Sequence, residues 1–379
     1  MKIIWDARSH EMYPVATAGL TSGTVQMINE ISKGLAARGH TVHVVTPDLG
    51  HEEQRAPTLW YWPREYFPHK ADVVVMTMHM DPNPPFIADT LILATFGTDP
   101  WMGPNNDFAP AVDAYPVFSQ CHQDLLCTNR PVLPEKCHIT GLGVTLADYA
   151  WRTILDDAGW EQAHEMHQDG CRRKVSGRML YANDPARGLW HVLDIFDLVK
   201  KEVKDATLHV AYDFDRQFAA HMWEHSLMAQ LLWDCKKRLE STPGVRNLGL
   251  LDRTEVVREQ LECQVHVMPS DPPNVGTQIH GIFQMECAAA GAALVLSDRE
   301  AFPEVFGEGA VILPVIGTYW PEQERRIIAD DYATTVVELM TDQTKWQGTS
   351  QKTRALAETH TWEHVVDNWE RMLNVIRGK

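Results

Sequence analysis

One stretch of this sequence, residues 268–314, restricts the fold more than any other. It runs MPSDPPNVGTQIHGIFQMECAAAGAALVLSDREAFPEVFGEGAVILP. The pattern predicts a strand ending near Pro269–Ser270, a proline-containing loop, a short helix over residues 281–290, and a buried strand at residues 294–297. Gly291 is predicted to follow the helix end, where glycine is common. A strand, a helix and a second strand in this order indicate a parallel α/β sheet.

The polar residues of this stretch lie where the first strand is followed by the helix. Open parallel sheets bind ligands at that carboxyl edge, and a helix N-terminus offers free N–H groups to an anion, most often a phosphate. Gly281 and Ile282 begin the helix, and Glu286 follows about one and a half turns later among small and apolar residues. The pattern therefore predicts an anion site at the helix start and a buried position for Glu286.

The rest of the chain continues this alternation of strands and helices. Ser119 is predicted to be the N-cap of a helix that follows a strand, and Gly39 is predicted to end an earlier helix. The segment around Gly23 lacks the G-x-G-x-x-G pattern of dinucleotide sites. The predicted strands are 2–6, 41–46, 72–79, 90–97, one at the start of 116–126, one within 137–144, 177–184, 206–213, 246–251, 264–270 and 294–298. The predicted helices are 23–38, 188–202 and a mainly helical tail at 330–377 with a break at 359–361.

This alternation predicts an α/β fold with two doubly wound, Rossmann-like domains that face each other across a cleft. The chain has 379 residues, more than a single hydrophobic core usually holds. The expected divisions are a first domain at 1–145, a linker with a helix at 146–176, a second domain at 177–358, and a C-terminal helix at 359–379.

Composition excludes several classes of function. Hydrophobic residues make up 44% of the chain and charged residues 22%, as in ordinary globular proteins. The net charge of −17 argues against a large nonspecific phosphate-binding face, although it permits a local basic cleft. We expect no transmembrane segment, because no long apolar run is present. The seven cysteines are scattered without a C-x-x-C pair, so neither a zinc site nor a disulfide scaffold is predicted, and a cytoplasmic location is expected.

Several motifs together resemble one known family. Besides residues 268–314, they are GLAARGHTVHVVTP (34–47), GLGVTLADY (141–149), YANDPARGLWHVLDIF (181–196), RNLGLLDRTEV (246–256) and THTWEHVVDNW (359–369). In this order and spacing they resemble the GT-B-fold glycosyltransferases of the large retaining family 4, also called group 1. The resemblance covers nearly the whole chain. It implies a nucleoside diphosphate sugar bound mainly by the second domain, an acceptor bound mainly by the first, and a last helix that crosses back onto the first domain.

The resemblance also assigns donor-binding residues. Arg187, just before a glycine at a helix start, would neutralise the leaving diphosphate. Gly281 and Ile282 would donate backbone N–H groups to the diphosphate or the sugar, and Glu286 would accept hydrogen bonds from the ribose hydroxyls. Gly23 would allow the backbone to approach the diphosphate, since a Cβ would block that approach.

Two positions depart from the family's pattern. The family places a first Glu eight residues before the position of Glu286, but this chain has Gln278 there, and His280 replaces the usual aromatic residue. Both departures bear on the identity of the donor sugar. Asp213 and Asp215 follow a strand, and we assign them to the nucleobase or sugar pocket rather than to a metal, since no metal-binding set is predicted.

In the first domain, polar residues follow two predicted strands. By resemblance, His79 would contact the donor sugar. Asp81 and Asp99 are candidates for the acceptor base or for acceptor positioning. Ser119 is interpreted as an N-cap rather than as a ligand. The predicted catalytic residues are therefore Arg187, His79 and Asp99.

These assignments predict a retaining glycosyltransferase that uses a UDP-, GDP- or ADP-linked sugar and requires no cofactor. The expected acceptor is a hydroxyl group of a glycan, a lipid or a small molecule. One open alternative is a viral-type DNA glycosyltransferase acting on hydroxymethylated bases, in which nucleic acid serves only as the acceptor. A basic patch would then be needed, formed by Arg152, Arg172, Arg173, Lys174, Lys200, Lys201, Lys236, Lys237 and Arg238.

A second open alternative is a nucleotide-sugar-binding subunit without activity. It is motivated by Gln278, which removes the family's first carboxylate. An epimerase or phosphorylase of the same fold is less favoured. The former uses several carboxylates around the sugar, and the latter is usually a much longer chain with a pyridoxal lysine.

Overall fold

The computed structural model describes residues 1–8, 23–47, 49, 51–63, 67–80, 85–97, 100, 102, 106–149, 174–214, 227–270 and 279–378. The chain separates into two compact units. The first unit comprises Met1–Gly143 and His360–Lys379, and the second comprises Val144–Thr359.

A six-stranded sheet forms the centre of the first unit. The strands of this unit are β1 (Lys2–Asp6), β2 (Thr41–Val45), β3 (Glu53–Ala56), β4 (Leu59–Trp62), β5 (Lys70–Thr77), β6 (Ile87–Ala94), β7 (Tyr115–Val117) and β8 (Cys137–Ile139), and its first two helices are α1 (Gly23–Ala37) and α2 (Gln120–Asn129). The sheet order is β3-β4-β2-β1-β5-β6, and only the β3–β4 pair is antiparallel. Strands β7 and β8 form a separate parallel pair. Chain order reverses between β1 and β5, which makes their carboxyl ends the topological switch point.

The second unit contains an entirely parallel sheet in the order β11-β10-β9-β12-β13-β14. Its strands are β9 (Arg178–Tyr181), β10 (Thr207–Ala211), β11 (Val245–Gly249), β12 (Val265–Met268), β13 (Ala293–Ser297) and β14 (Val311–Leu313). Its helices are α3 (Leu189–Glu202), α4 (Leu227–Ser241), α5 (Arg253–Glu262), α6 (Ile282–Ala289), α7 (Phe302–Phe306), α8 (Glu322–Thr341) and α9 (Gln343–Thr359), after which α10 (Trp362–Ile376) belongs to the first unit. The switch point lies between β9 and β12. The prediction of two doubly wound α/β sheets is confirmed.

The central strands are apolar along most of their length because helices cover parallel sheets on both faces. Ile3, Ile4 and Trp5 of β1 are fully buried. Helix α1 buries Val25, Ile28, Ile31 and Leu35 at the helical spacing that the sequence predicts. The buried residues of β1 and the apolar face of α1 therefore contribute to the core of the first unit.

Two glycines end helices as predicted. Gly39 and Gly291 have φ of 88° and 78°, which glycine adopts without the steric cost of a Cβ. After α6, Gly291 N donates to Ala288 O at 2.9 Å and Ala292 N donates to Cys287 O at 2.9 Å. This pair of bonds satisfies the last carbonyl groups of the helix.

Helix α10 packs against the other elements of the first unit, to which it belongs. The rings of Trp5 and Trp369 lie 5.1 Å apart. A Cβ on Gly143 would lie 2.5 Å from the backbone nitrogen of Trp362. Glycine at residue 143 therefore allows the chain to pass directly against the start of α10.

Some predicted boundaries were wrong. Strands β5 and β6 end at Thr77 and Ala94, before the predicted ends at 79 and 97. After β5, Met78 takes a φ of 61° and His79 N donates to Thr77 O at 2.7 Å, so a tight turn replaces the last strand residues. The short hairpin β3–β4 was not predicted. The tail becomes helical at Glu322 rather than at residue 330, and it has an additional break at Asp342.

A linker that contains a helix was predicted at 146–176. Residues 150–173 of this segment lie outside the described residues. Its first residues, Leu146–Tyr149, form a 3-10 turn of the second unit. Among the described residues, no helix is both long and apolar enough to span a membrane.

Candidate functional site

Two loops leave the second sheet at its switch point. After β9 the chain passes Asn183 and enters the 3-10 turn Pro185–Arg187, where the Asp184 side chain accepts a hydrogen bond from Ala186 N at 2.9 Å. After β12 the chain passes Ser270, and α6 begins beyond its N-cap Gly281. Because β9 and β12 are adjacent and parallel, both loops emerge at the same carboxyl edge. The turn of Arg187 and the N-terminus of α6 therefore flank the switch point.

Arg187 is half-buried in this turn. Burial raises the pKa of Tyr181 well above its usual range, and the positive charge of Arg187 acts on that pKa in the opposite direction. The Tyr181 hydroxyl donates to Asp184 O at 2.7 Å. The charge of Arg187 therefore acts on the end of β9, at the edge where an anion at the switch point would bind.

The start of α6 offers backbone donors. Met285 N, the first amide with an intrahelical partner, donates to Gly281 O at 3.0 Å, so the amides of Ile282 and the two residues after it precede the helical ladder. Gly281 has a φ of 107° and no side chain that caps the helix. His280 is buried, with its ring 6.5 Å from that of Phe306 in an edge-on arrangement.

Glu286 is buried, as predicted, and its carboxylate contacts helix α5. Only 4% of its side chain is exposed. Arg253 Nη1 donates to Oε1 at 2.5 Å, and Gln260 Nε2 donates to Oε2 at 2.9 Å. Each carboxylate oxygen can accept a further hydrogen bond, so the predicted contact with ribose hydroxyls would use the remaining lone pairs of a carboxylate held in place by Arg253 and Gln260.

The network around Glu286 extends to the turn Leu146–Tyr149. Arg253 Nη2 donates to Asp148 Oδ2 at 2.8 Å, and the Tyr149 hydroxyl donates to Gln260 Oε1 at 2.6 Å. Burial, and then the charge of Glu286, raise the pKa of Tyr149 well above its usual range, so its hydroxyl stays protonated. Sequence analysis did not identify Arg253 or Gln260.

One local signal was available for α5. Asp252 and Glu255 form a reciprocal capping box that begins the helix, in which each side chain accepts from the other residue's backbone N–H. This signal places Arg253 in the first turn, but it carries no information about the partner in α6.

Asp213 lies in a tight turn directly after β10, where Phe214 N donates to Tyr212 O at 2.9 Å. It is half-buried at the same carboxyl edge, one strand beyond β9. Two other predicted positions, Gln278 and Asp215, lie outside the described residues. The structure therefore brings Arg187, Asp213, Gly281 and Ile282 to one edge, whereas Glu286 faces α5.

The switch point of the first unit carries an ion pair that sequence analysis missed. Arg8 Nε lies 2.8 Å from Asp6 Oδ1, and Arg8 Nη2 donates to Asp6 Oδ2 at 2.9 Å. The Arg8 guanidinium lies over the rings of Phe67 and Phe86, at 5.4 and 5.1 Å from their centroids. These contacts hold a charged pair at the end of β1.

His79 is exposed at the end of β5, the strand next to β1. Its position after the left-handed Met78 places it at the carboxyl edge, as predicted. Gly23 is the first residue of α1. The other candidates of this unit, Asp81 and Asp99, lie outside the described residues.

His122 joins the exits of β6 and β7. Its Nε2 lies 3.1 Å from Thr95 Oγ1 and 3.2 Å from Gly97 O, while its Nδ1 accepts from Phe118 N at 3.2 Å. Burial lowers the pKa of His122 to about 4, so the ring is neutral at pH 7 and carries its proton on Nε2. Ser119 is the N-cap of α2 and accepts from His122 N at 3.0 Å, which confirms its predicted role.

We find no group of three or more His, Cys, Asp or Glu side chains suited to hold a metal ion within the described ranges. Six cysteines in those ranges are free thiols.

Several solved structures are similar to this chain over its full length. No family model matches the chain, and no curated protein matches it by sequence. Sucrose-phosphate synthase from Thermosynechococcus elongatus has a similar structure, with a TM-score of 0.68 at 10% identity over 100% of this chain and 99% of that one. WaaG, a glycosyltransferase involved in lipopolysaccharide biosynthesis, aligns over 100% of both chains with a TM-score of 0.62 at 12% identity.

A third similar structure is that of HepE from Anabaena in complex with UDP and glucose. It has a TM-score of 0.63 at 12% identity and covers 99% of this chain and 100% of that chain. The chain thus has the GT-B fold, with two doubly wound sheets, as the sequence predicts.

Proposed function

We propose that this protein is a retaining glycosyltransferase that moves a sugar from a nucleoside diphosphate sugar to a hydroxyl acceptor. The observation that carries the proposal is the switch point of the second sheet, flanked by the Arg187 turn and by the N-terminus of α6. A cationic side chain and free backbone N–H groups at one sheet edge suit a diphosphate. The full-length similarity to glycosyltransferases, one of them bound to UDP and glucose, supports the same function.

The proposed reaction breaks the bond between the anomeric carbon and the diphosphate oxygen. The acceptor oxygen forms a bond to the same face of the sugar, and its proton passes to the leaving diphosphate. Arg187 and the α6 amides would stabilise the negative charge that develops on the diphosphate. His79 remains a proposed sugar contact, and Asp99 a proposed acceptor residue.

The binding of UDP, GDP and ADP tests the donor site. We expect at least one of them to bind the full chain, and Arg187→Ala to weaken that binding by about 10- to 100-fold, the usual effect of losing a charge-assisted hydrogen bond. Arg238→Ala is the matched control, because Arg238 lies on α4 and is paired with Asp194 and Asp197 at 2.6 and 2.7 Å. Equal binding by wild type and Arg187→Ala, or no binding of any nucleotide to wild type, would refute the proposed site.

The stereochemistry and the metal requirement need separate measurements. NMR of the product should show the anomeric configuration of the donor. Turnover in the presence of EDTA should equal turnover without it if no metal participates. An inverted product would exclude the retaining mechanism, and loss of activity in EDTA that Mg²⁺ restores would show a metal requirement.

A glycan, lipid or small-molecule hydroxyl is the proposed acceptor, because three lysines of the basic patch that DNA binding would need are engaged in contacts within the second unit. Lys174 Nζ donates to Gln260 O at 3.0 Å, Lys200 Nζ donates to Ala206 O at 2.8 Å, and Lys237 Nζ lies 3.6 Å from Asp234 Oδ1. The net charge of −17 acts in the same direction. A salt-sensitive shift of duplex DNA by the protein would reverse this conclusion.

The alternative of an inactive binding subunit makes a different prediction. Such a protein would bind a nucleotide sugar without hydrolysing or transferring it. Any donor hydrolysis by the pure chain that Arg187→Ala abolishes would exclude this alternative.

A further inference from the structure

Polar atoms without partners lie on both sides of the second unit's switch point. At the exit of β9, Asn183 Nδ2 is buried, and at the exit of the neighbouring β12, Ser270 Oγ is buried. Within the part of the chain that the structure describes, neither atom has a hydrogen-bond partner. Buried polar atoms are normally paired, and an exception at a sheet edge indicates a group that binds there.

The orientation of the Asn183 amide follows from His266 on β12. His266 is fully buried, and burial lowers its pKa to about 4, so the ring is neutral at pH 7. His266 Nδ1 lies 2.8 Å from Leu180 O. A carbonyl oxygen only accepts, so Nδ1 carries the proton and Nε2 must be an acceptor.

Gln284, in the first turn of α6, transmits this constraint. Its Nε2 lies 3.4 Å from His266 Nε2, which accepts, and donates to Asn183 Oδ1 at 3.4 Å. One amide nitrogen thereby supplies both hydrogen bonds. The Asn183 oxygen consequently faces Gln284, and the Asn183 NH₂ group points away from Gln284.

Gly281 makes room for this arrangement. A Cβ at residue 281 would lie 2.8 Å from Gln284 Oε1 and 3.2 Å from the Phe302 ring. The φ of 107° at Gly281 is also one that other residues rarely adopt. The glycine that was predicted to expose backbone N–H groups therefore also accommodates the side chain that orients Asn183.

We propose that Asn183 binds the nucleotide-sugar donor by donating a hydrogen bond from Nδ2 to an oxygen of its diphosphate or its sugar, and that Gln284 and His266 are positioning residues for this donor. The inference rests on the proposed function, because it places the same donor at the switch point. It adds a residue outside the set assigned by resemblance. Asn183 lies four positions before Arg187 in the same loop, at the sheet edge where the diphosphate is proposed to bind.

The test measures binding of UDP, GDP, ADP and UDP-glucose to the full chain by calorimetry. Asn183→Asp keeps the shape but replaces the donor by a carboxylate oxygen, and we expect binding at least about tenfold weaker. Gln284→Glu leaves Asn183 intact but presents only acceptor oxygens to it. This favours the opposite orientation of the Asn183 amide, with its NH₂ group towards residue 284. We expect Gln284→Glu to weaken nucleotide binding to a similar extent. Circular dichroism and the melting temperature of each free variant report on folding.

Ser32→Ala is the matched control. Ser32 Oγ on α1 is another buried polar atom without a partner among the described residues, but it does not lie at the switch point of the second sheet. We expect this variant to bind each nucleotide with the wild-type affinity.

The outcomes separate this inference from the proposed function. If wild type binds a nucleotide and folded Asn183→Asp and Gln284→Glu variants bind it equally well, the inference is wrong and the proposed function stands. If no probe binds wild type, both are wrong. Weaker binding of UDP itself identifies the diphosphate as the acceptor of the Asn183 hydrogen bond, whereas weaker binding of UDP-glucose alone identifies the sugar.

Discussion

The pairing of Glu286 with Arg253 gives the sharpest prediction about stability. The Glu286 side chain is 4% exposed and that of Arg253 is 22% exposed. Removing one partner of a fully buried ion pair costs about 3–5 kcal/mol, because the other charge remains buried. Since Arg253 is partly exposed and Gln260 continues to bind Glu286, we expect Arg253→Met to cost about 2–3 kcal/mol.

The companion variant is Glu286→Gln, which removes the buried negative charge and leaves Arg253 paired with Asp148. Arg253 keeps Asp148 as a partner, so we expect a smaller cost of about 1 kcal/mol, as for a single imperfect hydrogen bond. Combining Arg253→Met with Glu286→Gln should restore about 1 kcal/mol relative to Arg253→Met alone, because contacting residues are not additive.

Differential scanning calorimetry measures these changes. For a unit of this size, about 1 kcal/mol corresponds to roughly 2–4 °C in melting temperature, so Arg253→Met should melt about 4–12 °C below wild type. An Arg253→Met variant that melts within 1 °C of wild type would refute the reasoning. A double variant that is less stable than Arg253→Met alone would refute it as well.

Two further predictions concern packing and pH. Gly143→Ala should destabilise the first unit by at least about 2 kcal/mol, because the new Cβ would lie 2.5 Å from Trp362 N and 2.7 Å from the Thr361 carbonyl carbon. Thermal unfolding checks this prediction, and a melting temperature equal to that of wild type would contradict it. Burial lowers the folded-state pKa of both His122 and His266 to about 4, below the unfolded value near 6.5. The contribution of these two histidines to stability is therefore present above about pH 6.5 and is lost as the pH falls towards 4. We expect the melting temperature to fall between pH 7 and pH 5, and to fall less in His122→Gln; an equal fall in both proteins would contradict the role of His122.

Much of the local structure could be predicted from the sequence. The helix start at Gly281, the helix ends marked by Gly39 and Gly291, and the N-cap Ser119 all agree with the structure. Each depends on residues within one turn of the position concerned, so the signal is contained in a short window. The hairpin β3–β4 escaped prediction because its first strand, EQRA, has no apolar alternation.

The partners of the candidate site residues could not be predicted in this way. Glu286 contacts Arg253 and Gln260, which lie 33 and 26 residues earlier in the chain. No hydrophobic period or capping pattern carries such a pairing, because it depends on how α5 and α6 pack against the same sheet. The sequence alone indicated a buried carboxylate, and the tertiary structure supplied the groups that compensate its charge.

The sequence by itself determined the alternation of strands and helices, the two doubly wound α/β sheets and the place of the polar residues at strand ends. Only the tertiary structure decided which strand ends are neighbours. It places the exits of β9 and β12 side by side, and with them Asn183, Gln284 and His266. Asn183 and His266 are 83 residues apart in the chain. The physical reason is that periodicity and capping act between near neighbours in the chain, whereas a hydrogen-bond relay requires the register of adjacent strands and the packing of a helix upon them.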